Sequence, residues 1–273
     1  MSGTEPLEVT RGTGAVDPGE YPESTAHPGE SPGSMRVSLD AGLFVQVLKA
    51  INELIDEPTL HFTEDGMTVK MLEPAHVMAV ETKLEPGAFY EYRVNSDTSI
   101  AFNAERLITL IGKKVPARHR IELEVNEETK MIYFRVIDNS GICTKTISLY
   151  LLEPMPLPNF NLTFDAAAVV DADELYRQIK VMPGFNVDIV LDNENLVLIS
   201  KTDTVSFETV LQARPLVNSS RVQAKYGQIY LLQALKARPT RDVIIALSDK
   251  RPLKLEYDVG SGKIAYYIAP RGD

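Results

Sequence analysis

Tryptophan is absent from the 273 residues, cysteine occurs once and histidine four times, and no long apolar run interrupts the chain. Each shortage excludes something. A single cysteine, Cys143, rules out an internal disulfide and a thiolate-rich zinc site, and a reducing, intracellular setting follows as the expectation. The histidines, His27, His61, His76 and His119, are scattered with no i,i+4 pair, so no helix presents two of them to a metal. Without about 18 consecutive apolar residues there is no candidate spanning helix. No charged n-region precedes an apolar core, so no secretory signal is expected. Basic residues do not dominate: Lys and Arg number 28 against 38 acids, a formal charge of −10. That overall sign speaks against a general nucleic-acid binder but leaves room for a local basic patch.

Catalytic signatures are equally scarce. There is no P-loop, dinucleotide fingerprint, HExxH or nucleophile elbow. The acids of "EVNEETK" and "DNENL" fall at turns between strands and read as solvated loops. Nothing assembles a nucleophile, a base and an oxyanion site, so the chain is expected not to be an enzyme and to need no cofactor and no metal. The rival is an enzyme built on dispersed acids such as Glu73, Asp65 and Asp192.

What is present is order. Residues 1–34 carry eleven Gly and Pro, and six acids against Arg11 alone, a composition expected to be disordered. Met35 is conceivable as an alternative start. From there Val37 and Leu39 alternate with polar residues as a strand. Asp40 then caps a helix with Phe44, Val47, Leu48, Ile51, Leu54 and Ile55 on one face, stopping before Pro58. Strands follow in "LHFTEDGMTVKML", turning at Asp65-Gly66, then in "HVMAVETKL" and "FYEYRV". A second helix starts from Asn103 with Leu107, Leu110 and Ile111 inward and ends near Lys114; strands "RIELEV", "MIYFRVID" and "CTKTISLYLL" complete the unit.

The order then repeats. Strand "DAAAVV" leads to a capping box, Asp171 with Glu174, and a helix carrying Leu175, Ile179 and Met182. Strands "VDIVLD", "LVLISK" and "VSFETVLQA" precede a fourth helix near "YGQIYLLQALKA" with Ile229, Leu232 and Leu235. Strands "DVIIAL", "LKLEYDV" and "GKIAYYIA" close the chain. The expectation is an α+β domain duplication: a tail at 1–34, domains at 35–150 and 165–273, and a connector at 151–164. Three prolines stiffen that connector, "LLEPMPLPNFNLTF", while Leu152, Met155, Leu157, Phe160 and Leu162 make it too apolar for a solvated spacer, which suggests a docking surface.

Two features bear on binding. Basic residues cluster at helix ends: Lys113, Lys114, Arg118, His119 and Arg120 after the second, Arg177 and Lys180 on the third, and Lys225, Lys236, Arg238 and Arg241 around the fourth. And "MLEPAHVMAV" sets His76 in an apolar run, where a metal ligand, a general base, a core histidine and the polar edge of a binding surface all remain open.

Residues 35–271 resemble the proliferating cell nuclear antigen family, the sliding clamps of archaea and eukaryotes. Three segments carry the resemblance: "DGMTVKMLEPAHVMAV", the connector ending "LPNFNLTF", and "RPLKLEYDVGSGKIAYYIAPR". The resemblance implies two similar domains, each with two helices packed on antiparallel sheets, and a pseudo-six-fold ring of three subunits around duplex DNA. It implies a processivity factor that tethers DNA polymerase, clamp loader, ligase and nuclease through clamp-binding peptides, in the cytoplasm or nucleoid of an archaeon or the nucleus of a eukaryote. DNA-facing residues would be Lys49, Lys113, Lys114, Arg177, Lys180, Lys236 and Arg238. A front-face peptide pocket would comprise Leu72, His76, Val77, Met78, Leu157, Phe160, Phe164, Pro252, Leu253, Ala269, Pro270 and Arg271. The subunit interface would run along Cys143, Lys145, Ile147 and Leu149 on one strand and Val205, Phe207, Thr209 and Leu211 on the other. The pattern departs at the first helix, where Asp40–Glu57 offers only Lys49 against four acids, so a weak grip on DNA is expected. A heterotrimeric or checkpoint-type clamp subunit, or a protein scaffold that has lost sliding, are the alternatives. The closing Arg-Gly-Asp reads as coincidence.

Overall fold

The computed structural model describes residues 35–192, 194–217 and 221–272. The segment 1–34 lies outside the described residues, and the expectation of disorder there goes with it.

Strand β1 (Arg36–Asp40) runs into helix α1 (Ala41–Asn52) where the Asp40 carboxylate accepts from the Leu43 amide at 2.8 Å, satisfying one of the orphan donors of the first turn. Phe44, Val47, Leu48 and Ile51 are fully buried, as their spacing requires. The helix stops at Asn52, earlier than expected; Leu54 and Ile55 follow in a turn, both donating to the Ile51 carbonyl at 3.0 Å. Strands β2 (Thr59–Thr63) and β3 (Gly66–Leu72) form the anticipated hairpin, with Gly66 at φ +112°, where a Cβ would lie 2.1 Å from the Leu84 carbonyl oxygen. After β4 (Met78–Leu84), β5 (Phe89–Arg93) and the unanticipated short β6 (Thr98–Ala101) comes α2 (Ala104–Ile111), capped by Asn103 through the Arg106 amide at 2.8 Å. Then β7 (Arg120–Asn126), β8 (Met131–Ile137) and β9 (Cys143–Tyr150) follow.

Residues 151–165 hold no helix and no named strand. Beyond them β10 (Ala166–Asp171) enters α3 (Ala172–Val181), with Asp171 accepting from the Glu174 amide at 2.9 Å. The two halves share even their entry bonds: the Ala41 amide donates to the His119 carbonyl at 2.9 Å, and the Ala172 amide to the Arg241 carbonyl at 2.8 Å. The second half continues through β11 (Asn186–Asp192), β12 (Asn195–Lys201), β13 (Ser206–Gln212), β14 (Arg214–Val217), β15 (Val222–Gly227), α4 (Gln228–Ala234), β16 (Asp242–Leu247), β17 (Leu253–Asp258) and β18 (Gly262–Ile268).

Among the described residues the strands build three sheets, all antiparallel. Their orders are β5-β1-β7-β8-β9, β13-β12-β11-β15, and a nine-stranded β14-β10-β16-β17-β18-β4-β3-β2-β6. The long sheet joins the halves through β18 and β4, from Gly262 opposite Leu84 to Ile268 opposite Met78. Helices α1 and α2 pack together, as do α3 and α4. The buried Tyr266 hydroxyl reaches from β18 to the Ala50 carbonyl of α1 at 2.7 Å, so this buried donor is satisfied.

Three helix and strand readings need correction. In α2 the inward residues are Leu107, Ile108 and Ile111, and Leu110 is 45% exposed. Gly112, at φ +111°, ends that helix before Lys114. Tyr226 and Gly227 belong to β15 rather than to the fourth helix; Leu231 and Ala234 face inward with the following Leu235, while Ile229 is 68% exposed. The run "VSFETVLQA" ends as β13 at Gln212, and the chain then changes sheets, β14 pairing with β10.

Candidate nucleic-acid, edge-strand and peptide interfaces

The helical face gathers part of the expected basic set. Lys49 on α1, Lys113 after α2, and Lys236 and Arg238 after α4 line one cavity of about 740 Å³, together with Gln46, Glu53 and Glu105. Lys114, Arg177 and Lys180 do not line it, but α3 borders it: the Arg238 guanidinium lies 4.1 Å from the Tyr176 ring centroid and Lys180 lies 5.8 Å from the same ring. The cavity is held across the two halves by Gln46 donating to the Pro239 carbonyl and Gln233 donating to the Glu53 carbonyl, each at 2.6 Å.

Much of this charge is already partnered. Lys236 sits 2.7 Å from Glu53, Arg238 sits 2.8 Å from Asp173, and Arg177 pairs with Glu174 at 2.5 Å. The Glu53 carboxylate raises the Lys236 pKa above its usual value, through a hydrogen bond and direct charge attraction. The Lys49 ammonium donates to the Lys113 carbonyl. Among the described residues Lys113, Lys114 and Lys180 have no carboxylate within 4.0 Å.

Among the described residues the three sheets end on six strands, and two of these bear on the expected interface: β9 pairs only with β8 and β13 only with β12, and they are eight and seven residues long. Of the expected interface residues, Cys143, Lys145 and Val205 are exposed and Phe207 and Thr209 are half-buried. Ile147, Leu149 and Leu211 are buried, because alternate side chains of an edge strand turn inward to their own core. What these three positions offer a neighbour is backbone. The Lys145 ammonium is also committed, donating to the last carbonyls of α2, Ile111 at 2.7 Å and Leu110 at 3.1 Å.

The turn after β3 places His76. Its residues would splay without an anchor, and Glu73 supplies one: its carboxylate accepts from the amides of Ala75 at 2.7 Å, Val77 at 2.6 Å and Met78 at 3.1 Å. Burial pushes the Glu73 carboxyl up, but these donors, with the His76 charge, outweigh it and hold the carboxyl below its usual range. His76 adopts φ +59° in this turn and is exposed, which removes the core-histidine reading. Among the described residues no group of three His, Cys, Asp or Glu could hold a metal. Val77 accepts from the Ala269 amide at 2.8 Å, joining the turn to the C-terminal segment.

The connector crosses the same side of the long sheet. The Leu152 amide donates to the Ala101 carbonyl at 2.8 Å, the Met155 amide to the Thr59 hydroxyl at 3.0 Å, and the Asp165 amide to the Ser248 hydroxyl at 2.9 Å. Between these staples Lys70 donates to the Phe160 carbonyl at 2.8 Å, with its ammonium 4.1 Å from the Phe160 ring centroid. That ring meets Tyr267 edge-on at 5.2 Å. Leu72, Met155 and Leu157 are left exposed, and Val77, Phe164, Pro252, Ala269 and Pro270 half-buried. Met78 and Leu253 are corrections: at 1% and 0% exposure on central strands they belong to the core behind this surface and do not line it. Pro270 and Arg271 border a cleft of about 440 Å³ with Asp188, Lys225 and Asp249.

Known proteins match this architecture. Residues 36–155 match the family model described as the proliferating cell nuclear antigen, N-terminal domain. A curated relative, DNA polymerase sliding clamp 3 of Sulfurisphaera tokodaii, is 28% identical over 88% of this chain and 100% of its own. The solved complex of PCNA2 and PCNA3 from Sulfolobus tokodaii contains a chain 26% identical, covering 88% of this chain and 100% of that one, with a TM-score of 0.75. The A. fulgidus PCNA bound to the C-terminal region of FEN-1 is 22% identical, with a TM-score of 0.76 over 88% of this chain and 99% of that one, a likeness of fold.

Proposed function

We propose that the chain belongs to the proliferating cell nuclear antigen family and is a DNA sliding clamp, a ring that encircles duplex DNA and tethers polymerase and other replication and repair proteins. The role is not catalytic. A ring holds DNA by topology, so its contacts need only be phosphate-directed and sequence-blind.

The observation that carries the reading is the pairing of two open edges with one basic helical cleft. Strands β9 and β13 terminate two different sheets and are nearly equal in length, so the edge of one subunit fits the edge of the next; repeated head to tail, such a contact closes a ring and covers both of these edges. The DNA-facing set is then Lys49, Lys113, Lys114, Arg177, Lys180, Lys236 and Arg238. The partner-peptide surface is Leu72, His76 and Val77 with Leu157, Phe160, Phe164, Pro252 and Ala269–Arg271, and its occupant is a short hydrophobic and aromatic peptide of a polymerase, clamp loader, ligase or nuclease. The domain division that goes with this is 35–150, 151–164 and 165–273.

Three copies of this chain make the ring in the first reading. A heteromeric ring is the second, favoured by one finding: the relative from S. tokodaii is numbered clamp 3, and the solved homologous chain is in a complex of PCNA2 with PCNA3. Absolute mass from light scattering over a dilution series separates them. Three chains support the homotrimer; a monomer at every concentration overturns it and leaves the heteromeric ring.

A further inference from the structure

Glu53 is placed against its local interest. It is the C-cap residue of α1, where the exposed carbonyls of the helix end carry partial negative charge and a carboxylate is disfavoured. Helix stability therefore does not explain an acid here. Its side chain is instead turned onto Lys236, from beyond the last residue of α4, at 2.7 Å. Its own carbonyl is pinned by Gln233 at 2.6 Å, so the carboxylate is presented from a fixed backbone. Glu53 is largely covered, with 22% of its side chain exposed, while Lys236 is 66% exposed at the mouth of the basic cleft. Asp173, the partner of Arg238, differs: it lies in the first turn of α3, where an acid is favoured by the helix itself.

We propose that Glu53 is a built-in competitor for the DNA backbone: it occupies Lys236 with an internal carboxylate that phosphate must displace, and so lowers the grip of the helical face on the duplex. The proposal rests on the clamp reading and goes beyond it, by assigning an acidic residue the job of setting how firmly the ring holds its track. The Lys236 ammonium, mostly exposed, is free to swing from this pair to a phosphate, because an ion pair open to solvent on one side contributes little net stability. Each phosphate that Lys236 does not neutralise leaves counterions in place and flattens the salt dependence of binding. Lys113, Lys114 and Lys180, without carboxylate partners among the described residues, are then the primary phosphate contacts.

The test uses the full chain and a fluorescein-labelled duplex of about 30 base pairs, with anisotropy measured at several salt concentrations. Glu53→Gln should tighten binding about fivefold near 0.1 M salt and steepen the slope of log K against log salt by about 0.9, one further phosphate. In a Lys236→Gln background the same substitution should give no such gain, since the effect runs through that ammonium. Unchanged affinity in Glu53→Gln, or an equal gain with and without Lys236, overturns the proposal. Equal losses of melting temperature in Glu53→Gln and Lys236→Gln with DNA binding unaltered would make the pair merely structural, and would also overturn it. Failure of the unsubstituted chain to bind any duplex at low salt would instead remove the clamp reading and this proposal together.

Discussion

The Val77 carbonyl accepts from the Ala269 amide at 2.8 Å, so the turn that displays His76 and the C-terminal segment form one continuous surface. Glu73 holds the other end of that turn through three amides. Replacing Glu73 by alanine leaves those amides without their acceptor and should loosen the turn. The expected result is faster hydrogen exchange at Ala75, Val77 and Met78 and roughly tenfold weaker binding of a hydrophobic partner peptide, from a loss of about 1–3 kcal/mol. Unchanged exchange would show that the turn does not depend on Glu73.

The same carboxyl predicts a pH dependence. Its pKa is lower in the folded chain than in the unfolded one, so its contribution is fully present above the unfolded value of 4.5 and is lost as pH falls through the folded value. Peptide affinity should therefore hold from neutral pH down to about 5 and decline in more acidic solution. Titration calorimetry across this range checks it, and an affinity that stays constant through acid pH would contradict the role given to Glu73.

Leu157 and Leu253 separate surface from core. Leu253→Ala should lower stability by about 2–5 kcal/mol, because it empties a fully buried site. Leu157→Ala, at a position 46% exposed, should leave the melting temperature nearly unchanged and weaken peptide binding. Lys70→Ala should release the middle of the connector and raise exchange around Phe160, while the staples at Leu152 and Met155 persist. Thermal melts and exchange on the same three variants decide the matter.

How much of this could be read from the chain itself varied with the range of the interaction. The caps Asp40, Asn103 and Asp171 were legible because each closes a bond to an amide three residues on. The α1 stripe was legible over several turns, whereas α4, only seven residues long, leaves too little periodicity to fix its face, and Ile229 was misplaced. The sheet change at Ala213 depends on whether β14 finds β10, a tertiary pairing invisible in the local pattern. Glu73 stood out only as one of the dispersed acids of the rival reading, since the three amides that donate to it come together only once the turn is formed. The Glu53–Lys236 pair joins opposite halves and has no signature in spacing. The resemblance thus gave the candidate peptide surface, but not that Met78 and Leu253 stand behind it.

The open edges give a prediction about assembly. Val210 is 57% exposed on β13, so Val210→Asp should fold normally while placing a charge beside the strand that a neighbour must join. Light scattering should show the assembly of the parent chain shifted toward single chains. An unaltered mass would mean that β13 is not the contact.

Encirclement is the central claim, and topology tests it most directly. The chain is assembled in the presence of relaxed circular plasmid, passed over a sizing column in moderate salt, and the plasmid is then cut once. Co-elution with the circle that is lost on linearisation is the predicted result, since a closed ring leaves a circle only by opening but slides off an end. Equal retention on circular and linear DNA, or none on either, would contradict the account.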